Sequence, residues 1–167
     1  MPNNQQTKDK DARTPTVTRE SLIQGLQDDL SREYQAIIAY VVYSQALTGA
    51  AYMSIAKELE LHATEELAHA ITIAKQLDYL GAMPNATSLP VKLSEDAEEM
   101  LRADLENEND TVRAYRERLG QCDALGEYAM AEEIREILRQ EQEHQIDLAT
   151  ALGEEVPDVS KMSKMRK

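Results

Sequence analysis

The chain has 167 residues and a formal net charge of −13, which is enough length for one domain with a buried core. The acidic surplus argues against nucleic acid as a partner, because phosphates would be repelled, and the one cysteine, Cys122, excludes an internal disulfide. Residues 1–20 lack the apolar run of a signal peptide and no stretch suits a membrane helix, so we expect a cytoplasmic protein that does not enter membranes.

Helical patterns fill the first half of the chain after a polar start. Residues 1–17 lack apolar periodicity and are expected to form a flexible tail. Thr18 and the acidic residue that follows shortly after it are typical of a helix start, and the first helix is predicted to run to about Leu47. A Thr-Gly break separates it from a second helix, predicted over residues 51–80.

The second half repeats this arrangement after a proline-containing connection. Residues 82–93 contain two prolines and are predicted to be extended. Ser94 is the predicted N-cap of a third helix that ends near Cys122, and a short break leads into a fourth helix that ends at Gly153. Residues 154–167 remain as a short polar C-terminal tail.

Two short turns and one long connection predict an all-α four-helix bundle over residues 18–153. A second helix of about 30 residues spans ~45 Å. A linker of about 13 residues reaches at most ~43–47 Å, so it could run the length of the bundle and leave helices two and three parallel. The alternative is a loose loop in a plain up-down bundle.

A glutamate interrupts the apolar seam of every predicted helix, and in two helices a histidine follows it by three positions. A carboxylate in a core is costly unless it is paired or bound to metal, and four at matching depth require a common explanation. Two divalent cations would balance four glutamates, and carboxylate and imidazole donors suit iron and manganese. The predicted metal ligands are Glu33, Glu66, His69, Glu108, Glu141 and His144.

The two halves of the chain also look like copies of one helical hairpin. In each half 33 residues separate the two glutamates, and a tyrosine, Tyr40 or Tyr115, follows the first glutamate by seven positions. A pseudo-two-fold axis would bring the two Glu-x-x-His pairs together. Each metal would then have one histidine, one terminal glutamate and two shared glutamates.

This ligand pattern resembles that of the ferritin-like di-iron carboxylate family, and among its members the chain is most similar to bacterioferritin. Residues 98–105 and 137–147 are similar to the third and fourth helices of that family, and the resemblance extends over residues 20–152. It implies a ferritin-like bundle with a crossover, in which Glu66 and Glu141 bridge two iron ions. It also implies that Tyr40 is a catalytic residue that donates an electron or a hydrogen bond.

The resemblance implies a ferroxidase that oxidises Fe²⁺ with O₂ or H₂O₂ for iron storage and detoxification. Such a protein would be a homo-oligomer, and a redox partner protein is possible. The alternative is a rubrerythrin-like di-iron or di-manganese peroxidase or oxidase that does not store iron. Because the chain has no Cys-x-x-Cys pair, that enzyme would take its electrons from another protein.

The chain departs from bacterioferritin at two places. Bacterioferritin ligates haem through a methionine directly after the helix-two glutamate, and this chain has Leu67 there, so haem is not expected. The family also has a short fifth helix, whereas here Pro157 lies within the short segment that follows the fourth helix. A fifth helix and a large hollow shell are therefore left open.

Three residues near the predicted ligands allow two interpretations each. His62 is expected to be a partly exposed residue on the bundle flank, with an iron-entry ligand as the alternative. Glu65 is expected on a solvated face, although it could orient a histidine from outside the metal centre. Tyr115 is either a packing residue or the counterpart of Tyr40.

Overall fold

The computed structural model describes residues 16–162, and all regular structure in this range is helical, which confirms the predicted all-α class. The elements in chain order are α1 Arg19–Ala46, a 3₁₀ turn Ala50–Tyr52, α2 Met53–Tyr79, α3 Ala97–Leu125 and α4 Tyr128–Leu152. Apart from its last two residues, the predicted flexible tail 1–17 lies outside the described residues. Within residues 16–162 no helix is long and apolar enough to cross a membrane.

Side-chain caps fix where α1 and α3 begin. Thr18 caps α1 as predicted. Its hydroxyl accepts from the Ser21 backbone N–H at 3.1 Å, and the Ser21 hydroxyl accepts from the Thr18 backbone N–H in return. The predicted cap of α3, Ser94, is wrong: Asp96 is the N-cap and accepts from the Glu99 N–H at 2.9 Å. Ser94 instead accepts from the Asp96 N–H at 3.0 Å, so it shapes the turn before the helix.

The connection between α2 and α3 runs along α1 and sets the topology of the bundle. Near its start, the Asn85 side-chain amide donates to the Gln27 backbone oxygen at 2.7 Å, and further on the Tyr43 hydroxyl donates to the Lys92 carbonyl. Gln27 lies in the first third of α1 and Tyr43 lies close to its C-terminal end, so the connection runs along the bundle and α3 runs parallel to α2. The predicted crossover is confirmed.

The bundle core consists of two apolar clusters with a polar layer between them. One cluster lies towards the start of α1 and includes Leu22, Leu26, Ile73, Leu77, Ile134 and Cys122. The other lies towards the end of α1 and includes Tyr43, Leu47, Leu59, Leu101, Leu105 and Leu148. The glutamates that interrupt the helix seams occupy the layer between the clusters, which therefore seal it from water on both sides.

A buried ion pair joins α1 to α3 beside the first cluster. Asp29 is fully buried, and its Oδ2 lies 2.7 Å from Nε of Arg118. Gly25, one turn before Asp29, leaves the space for this contact, because a Cβ there would lie 1.9 Å from Nη1 of Arg118. A larger residue would push the guanidinium away from its carboxylate, which is costly for a buried pair.

Part of the predicted C-terminal tail packs on the bundle. The Gln145 amide donates to the Pro157 carbonyl at 3.3 Å, and Val159 is buried. Arg102 on α3 also pairs with Glu154. The segment after α4 contains no further helix up to residue 162.

Candidate metal centre

The structure brings all six predicted ligands into the polar layer. Each of the four helices contributes one glutamate, and α2 and α4 each add a histidine one turn after the glutamate, as the i, i+3 spacing requires. None of the six residues is more than 2% exposed. They are Glu33, Glu66, His69, Glu108, Glu141 and His144.

The six side chains form two overlapping groups, and within each group the donor atoms lie within 4.8 Å of one another. Glu66 and Glu141 belong to both groups. Glu33 and His69 complete the first group, and Glu108 and His144 complete the second. Each group therefore offers four donors to one cation, and the two cations would share two carboxylates.

The imidazole nitrogens face the shared carboxylates from opposite sides. Nδ1 of His69 lies 3.2 Å from Oε2 of Glu66 and 3.0 Å from Oε1 of Glu141. Nδ1 of His144 lies 2.9 Å from Oε1 of Glu66 and 3.5 Å from Oε2 of Glu141. The two oxygens of each shared carboxylate thus point to different histidines, as a carboxylate that bridges two metals would require.

Most of the donor atoms at the centre have no hydrogen-bond partner, although all are buried. Buried polar atoms without a partner are rare and each costs free energy. A pair of cations would satisfy all of them at once, so this donor set fits two metal ions. The atoms are Oε2 of Glu33, Oε1 of Glu66, Oε2 of Glu108, both carboxylate oxygens of Glu141 and Nδ1 of His144.

Two tyrosines hold the terminal glutamates across the bundle. The Tyr40 hydroxyl on α1 donates to Glu108 on α3, and the Tyr115 hydroxyl on α3 donates to Glu33 on α1. Tyr115 is therefore the counterpart of Tyr40, which resolves the choice that the sequence left open. Each bond occupies one oxygen of a terminal carboxylate and leaves the other oxygen facing the centre.

The outer nitrogen of each histidine also has a partner on the opposite helix. Nε2 of His144 lies 2.8 Å from Oε2 of Glu65, and Nε2 of His69 lies 2.6 Å from Oε1 of Gln140. The expectation of a solvated Glu65 is wrong, because the α2–α4 packing brings the carboxylate to the imidazole. Gln140 was missed, yet the internal repeat points to it: the shift of 75 residues that relates the two halves relates Glu65 to Gln140.

His62 is buried rather than half-exposed, so the expectation for it is also wrong. Its ring stacks on the His144 ring with centroids 4.0 Å apart, and its Nε2 lies 3.3 Å from Oδ2 of Asp147. Only 2% of the residue is exposed, because α4 covers this face of α2. The sequence could not show this, since the rotation of α2 against α4 decides it.

The terminal glutamates are poised to keep their protons when no metal is bound. Burial raises the pKa of Glu33 well above its usual value, and the charges of Glu66 and Glu141 raise it further. The pKa of Glu108 is likewise raised well above its usual value by burial and by the same two charges. Both terminal groups therefore keep their protons to a higher pH than an ordinary glutamate does.

Unlike the terminal glutamates, the shared glutamates favour their ionised form, and the histidines beside them favour their protonated form. Burial opposes ionisation of Glu66 and Glu141, but the close contacts of both imidazoles with these carboxylates outweigh it and lower both pKa values. Burial likewise opposes protonation of His69 and His144, but the carboxylates around them raise both pKa values. Without metal the shared carboxylates thus favour their ionised form and the imidazoles favour their protonated form, so that opposite charges stabilise each other.

Comparison with known proteins agrees with this geometry. The ferritin-like domain family matches residues 23–155 of the chain. A bacterioferritin of Brucella melitensis is 30% identical over 141 residues, which cover 80% of this chain and 88% of the relative. A bacterioferritin of Rhodobacter capsulatus is 28% identical over 139 residues, covering 79% and 86%. The crystal structure of a ferritin-like, diiron-carboxylate protein from Bacillus anthracis superposes with a TM-score of 0.77 at 28% identity, covering 84% of this chain and 99% of that one.

Proposed function

This chain belongs to the ferritin-like domain family, and we propose that its buried centre is a ferroxidase that oxidises Fe²⁺ with O₂ or H₂O₂ for iron storage and detoxification. The observation that carries the proposal is the pair of four-donor groups that share Glu66 and Glu141. Four glutamates balance the charge of two Fe²⁺ ions. Manganese would fit the same donors, so the choice of iron as the bound metal is part of the proposal.

The ligand roles follow from which residues the groups share. Glu66 and Glu141 would bridge the two metals, because each directs one oxygen towards each histidine. Glu33 would be terminal on the His69 side, and Glu108 would be terminal on the His144 side. The tyrosine hydroxyls and the outer partners of the histidines would hold these ligands in place.

The two Fe²⁺ ions are the substrate, and together they give up two electrons. With two protons these electrons reduce O₂ to H₂O₂, or H₂O₂ to two water molecules. Tyr40 would serve the reaction through its hydroxyl, which donates a hydrogen bond to Glu108 and holds that ligand in place. The apolar clusters on both sides of the centre would exclude bulk water during the reaction.

An exposed apolar face supports the proposal that the protein is a homo-oligomer. Ile38 and Val41 of α1 and Leu67 and Ile71 of α2 are each about half exposed. Exposed apolar residues grouped on neighbouring helices mark interaction surfaces in soluble proteins. A second copy of the chain is the partner we propose for this face, and we place the assembly in the cytoplasm.

The test of this function is iron oxidation by the purified full chain. Metal-free protein receives two Fe²⁺ per chain without air, and O₂ or H₂O₂ is then added while Fe³⁺ absorbance and oxidant consumption are followed. We expect oxidation well above the rate in buffer, and iron retained beyond two per chain in a large particle by light scattering. Oxidation without retention, in a small oligomer, would favour the rubrerythrin-like alternative. A rate equal to that in buffer would contradict both.

A separate prediction concerns haem. Protein expressed with ample haem should show no Soret band from a bis-methionine site, because Leu67 has no sulfur to ligate iron. Leu67 lines a hollow between α1 and α2, so a haem would meet an aliphatic side chain there. The measurement is the visible spectrum after purification. A strong Soret band that vanishes when another methionine is replaced would overturn this expectation.

A further inference from the structure

We propose that the two metal positions of the buried centre are unequal, and that Glu65 and Gln140 make the position at His144 bind its cation first and more tightly than the position at His69. This inference rests on the proposed metal centre and adds a rank order to it. Each position has a histidine, a terminal glutamate and the two shared glutamates, so the inner donors are alike. A difference between the positions therefore has to come from groups that touch the ligands from outside.

The first difference is the acceptor at the outer nitrogen of each histidine. Nδ1 of both rings faces the centre, so the ring proton of a metal-ligating imidazole lies on Nε2. Nε2 of His144 donates to the Glu65 carboxylate at 2.8 Å, whereas Nε2 of His69 donates to the amide oxygen of Gln140 at 2.6 Å. A charged acceptor attracts the Nε2 proton more strongly than a neutral one, which makes His144 the better electron donor to a metal.

The chain itself contains this comparison as a matched pair. Glu65 directly precedes one shared glutamate, and Gln140 directly precedes the other. Both side chains are partly exposed, and both reach across the interface of α2 and α4 to a buried ring. Glutamate and glutamine have nearly the same size and shape, so the difference between the two contacts is chiefly one of charge.

The second difference is the charge beside the terminal glutamates. Asp29 precedes Glu33 by about one turn of α1, and its carboxylate contacts the guanidinium groups of Arg118 and Arg32. Two arginines and one carboxylate leave a net positive charge on the Glu33 side, which opposes a cation there. The residues that the shift of 75 gives for the two arginines carry no charge; they are Tyr43 and Asn107. This difference acts in the same direction as the hydrogen bonds.

The rank order has a consequence for the reaction. With one cation per chain, the ion would occupy the position at His144 together with both shared glutamates. If the proposed function holds, two-electron reduction of the oxidant requires both positions to be filled. The Fe²⁺ at His69 would then arrive last and leave first, so its affinity would set the Fe²⁺ concentration that oxidation needs.

The equilibrium test measures each position alone, because repulsion between two cations separates two binding steps even in a symmetrical centre. Glu33→Ala keeps all four donors at His144, and Glu108→Ala keeps all four donors at His69. Co²⁺ is titrated into each metal-free full chain and followed by visible absorption. The ion that remains in Glu33→Ala should bind roughly tenfold more tightly than the ion that remains in Glu108→Ala. Equal affinities would overturn the rank order.

Exchange of the outer partners tests the cause. Added to Glu33→Ala, the change Glu65→Gln should weaken Co²⁺ binding roughly tenfold. Added to Glu108→Ala, the change Gln140→Glu should strengthen it roughly tenfold. Gln142→Glu in the same Glu108→Ala protein is the control for added charge, because residues two positions apart on a helix do not share a face. An equal gain from Gln142→Glu would overturn the role of the hydrogen bond.

A spectroscopic test reports which histidine binds the first ion. One equivalent of Co²⁺ in the unmodified protein should give one paramagnetically shifted ring N–H signal in the proton NMR spectrum, and the same signal should appear in Glu33→Ala. Glu108→Ala should show a different signal, and the double variant Glu65→Gln/Gln140→Glu should show that second signal. Two equal signals at one equivalent would overturn the rank order but leave the centre in place. Failure of the unmodified protein to bind Co²⁺ would refute the centre itself.

Discussion

Glu66→Ala protein should bind neither metal ion of the buried centre at concentrations that saturate the unmodified protein. Glu66 directs one oxygen to each half of the centre, so its removal takes a donor from both metals. Loss of an outer partner of a metal ligand costs about 10–100-fold in affinity, and a shared ligand should cost more. Metal analysis after dialysis gives the stoichiometry directly.

A second variant within the centre and a control variant outside it test the ligand assignment further. Glu33 belongs to one donor group only, so Glu33→Ala should weaken one metal and leave the other bound. Glu143→Ala on α4 is the control, because Glu143 is exposed and pairs with Arg139 on the outer face of the helix. Circular dichroism should show that every variant remains helical. Unchanged stoichiometry in Glu66→Ala would refute the ligand assignment.

The stability of the protein should depend on pH in opposite directions with and without metal. The folded-state pKa of Glu33 and Glu108 is raised above the usual 4.5, so the stability they contribute is lost as pH rises from 4.5 towards the raised values. The pKa of His69 and His144 is raised above 6.5, which gives a further loss above that pH. Metal-free protein should therefore become less stable from pH 5 to 8, by an amount on the order of 1 kcal/mol per pH unit for each titrating group.

Metal binding reverses this trend because bound ligands carry no protons. In the unfolded chain the histidines take up protons as pH falls below 6.5, so the loaded protein should gain stability as pH rises from 5 to about 7. Binding should therefore release protons from the terminal glutamates and from the imidazoles, whose pKa values are all raised in the metal-free centre. A metal at a hundredfold excess over its dissociation constant would add about 2.7 kcal/mol.

Thermal melts between pH 5 and 8, with EDTA or with Mn²⁺, measure both trends without oxidation chemistry. Calorimetry of Mn²⁺ binding in buffers of different ionisation enthalpy gives the proton release. Glu33→Gln serves as the matched variant, because glutamine resembles the neutral acid and cannot titrate, so the metal-free slope should become shallower. Parallel pH profiles with and without metal would show that these glutamates do not form a buried metal cage.

The sequence alone was sufficient to predict the four helices and the six residues that meet in the polar layer. A glutamate in each apolar seam is conspicuous, because burial of an unpaired carboxylate is costly, and the i, i+3 spacing puts each histidine on the face of its glutamate. The crossover was also predictable, since the connection had to be long enough to pass along α1. These features depend on the period of one helix and on chain length.

Apart from the N-cap of α3, where Asp96 takes the place predicted for Ser94, the errors arose where one helix meets another. Glu65 and His62 both lie near the edge of the seam of α2, and periodicity cannot tell an edge residue that faces solvent from one that a neighbour covers. The rotation of α2 against α4 decides that Glu65 reaches His144 and that His62 is buried against the same ring. That rotation results from the packing of all four helices, so no local pattern encodes it.

The sequence by itself determined which residues could form a metal centre, and only the tertiary structure decided how they are held. The internal repeat indicated two equal halves, yet Asp29 pairs with Arg118, whereas a buried oxygen of its counterpart Asp104 has no partner. The outer partners of the histidines differ as well, with a carboxylate on one side and an amide on the other. Helix period fixes the direction of each side chain along its own helix, but contacts between helices depend on register and rotation, which the whole bundle sets through its packing.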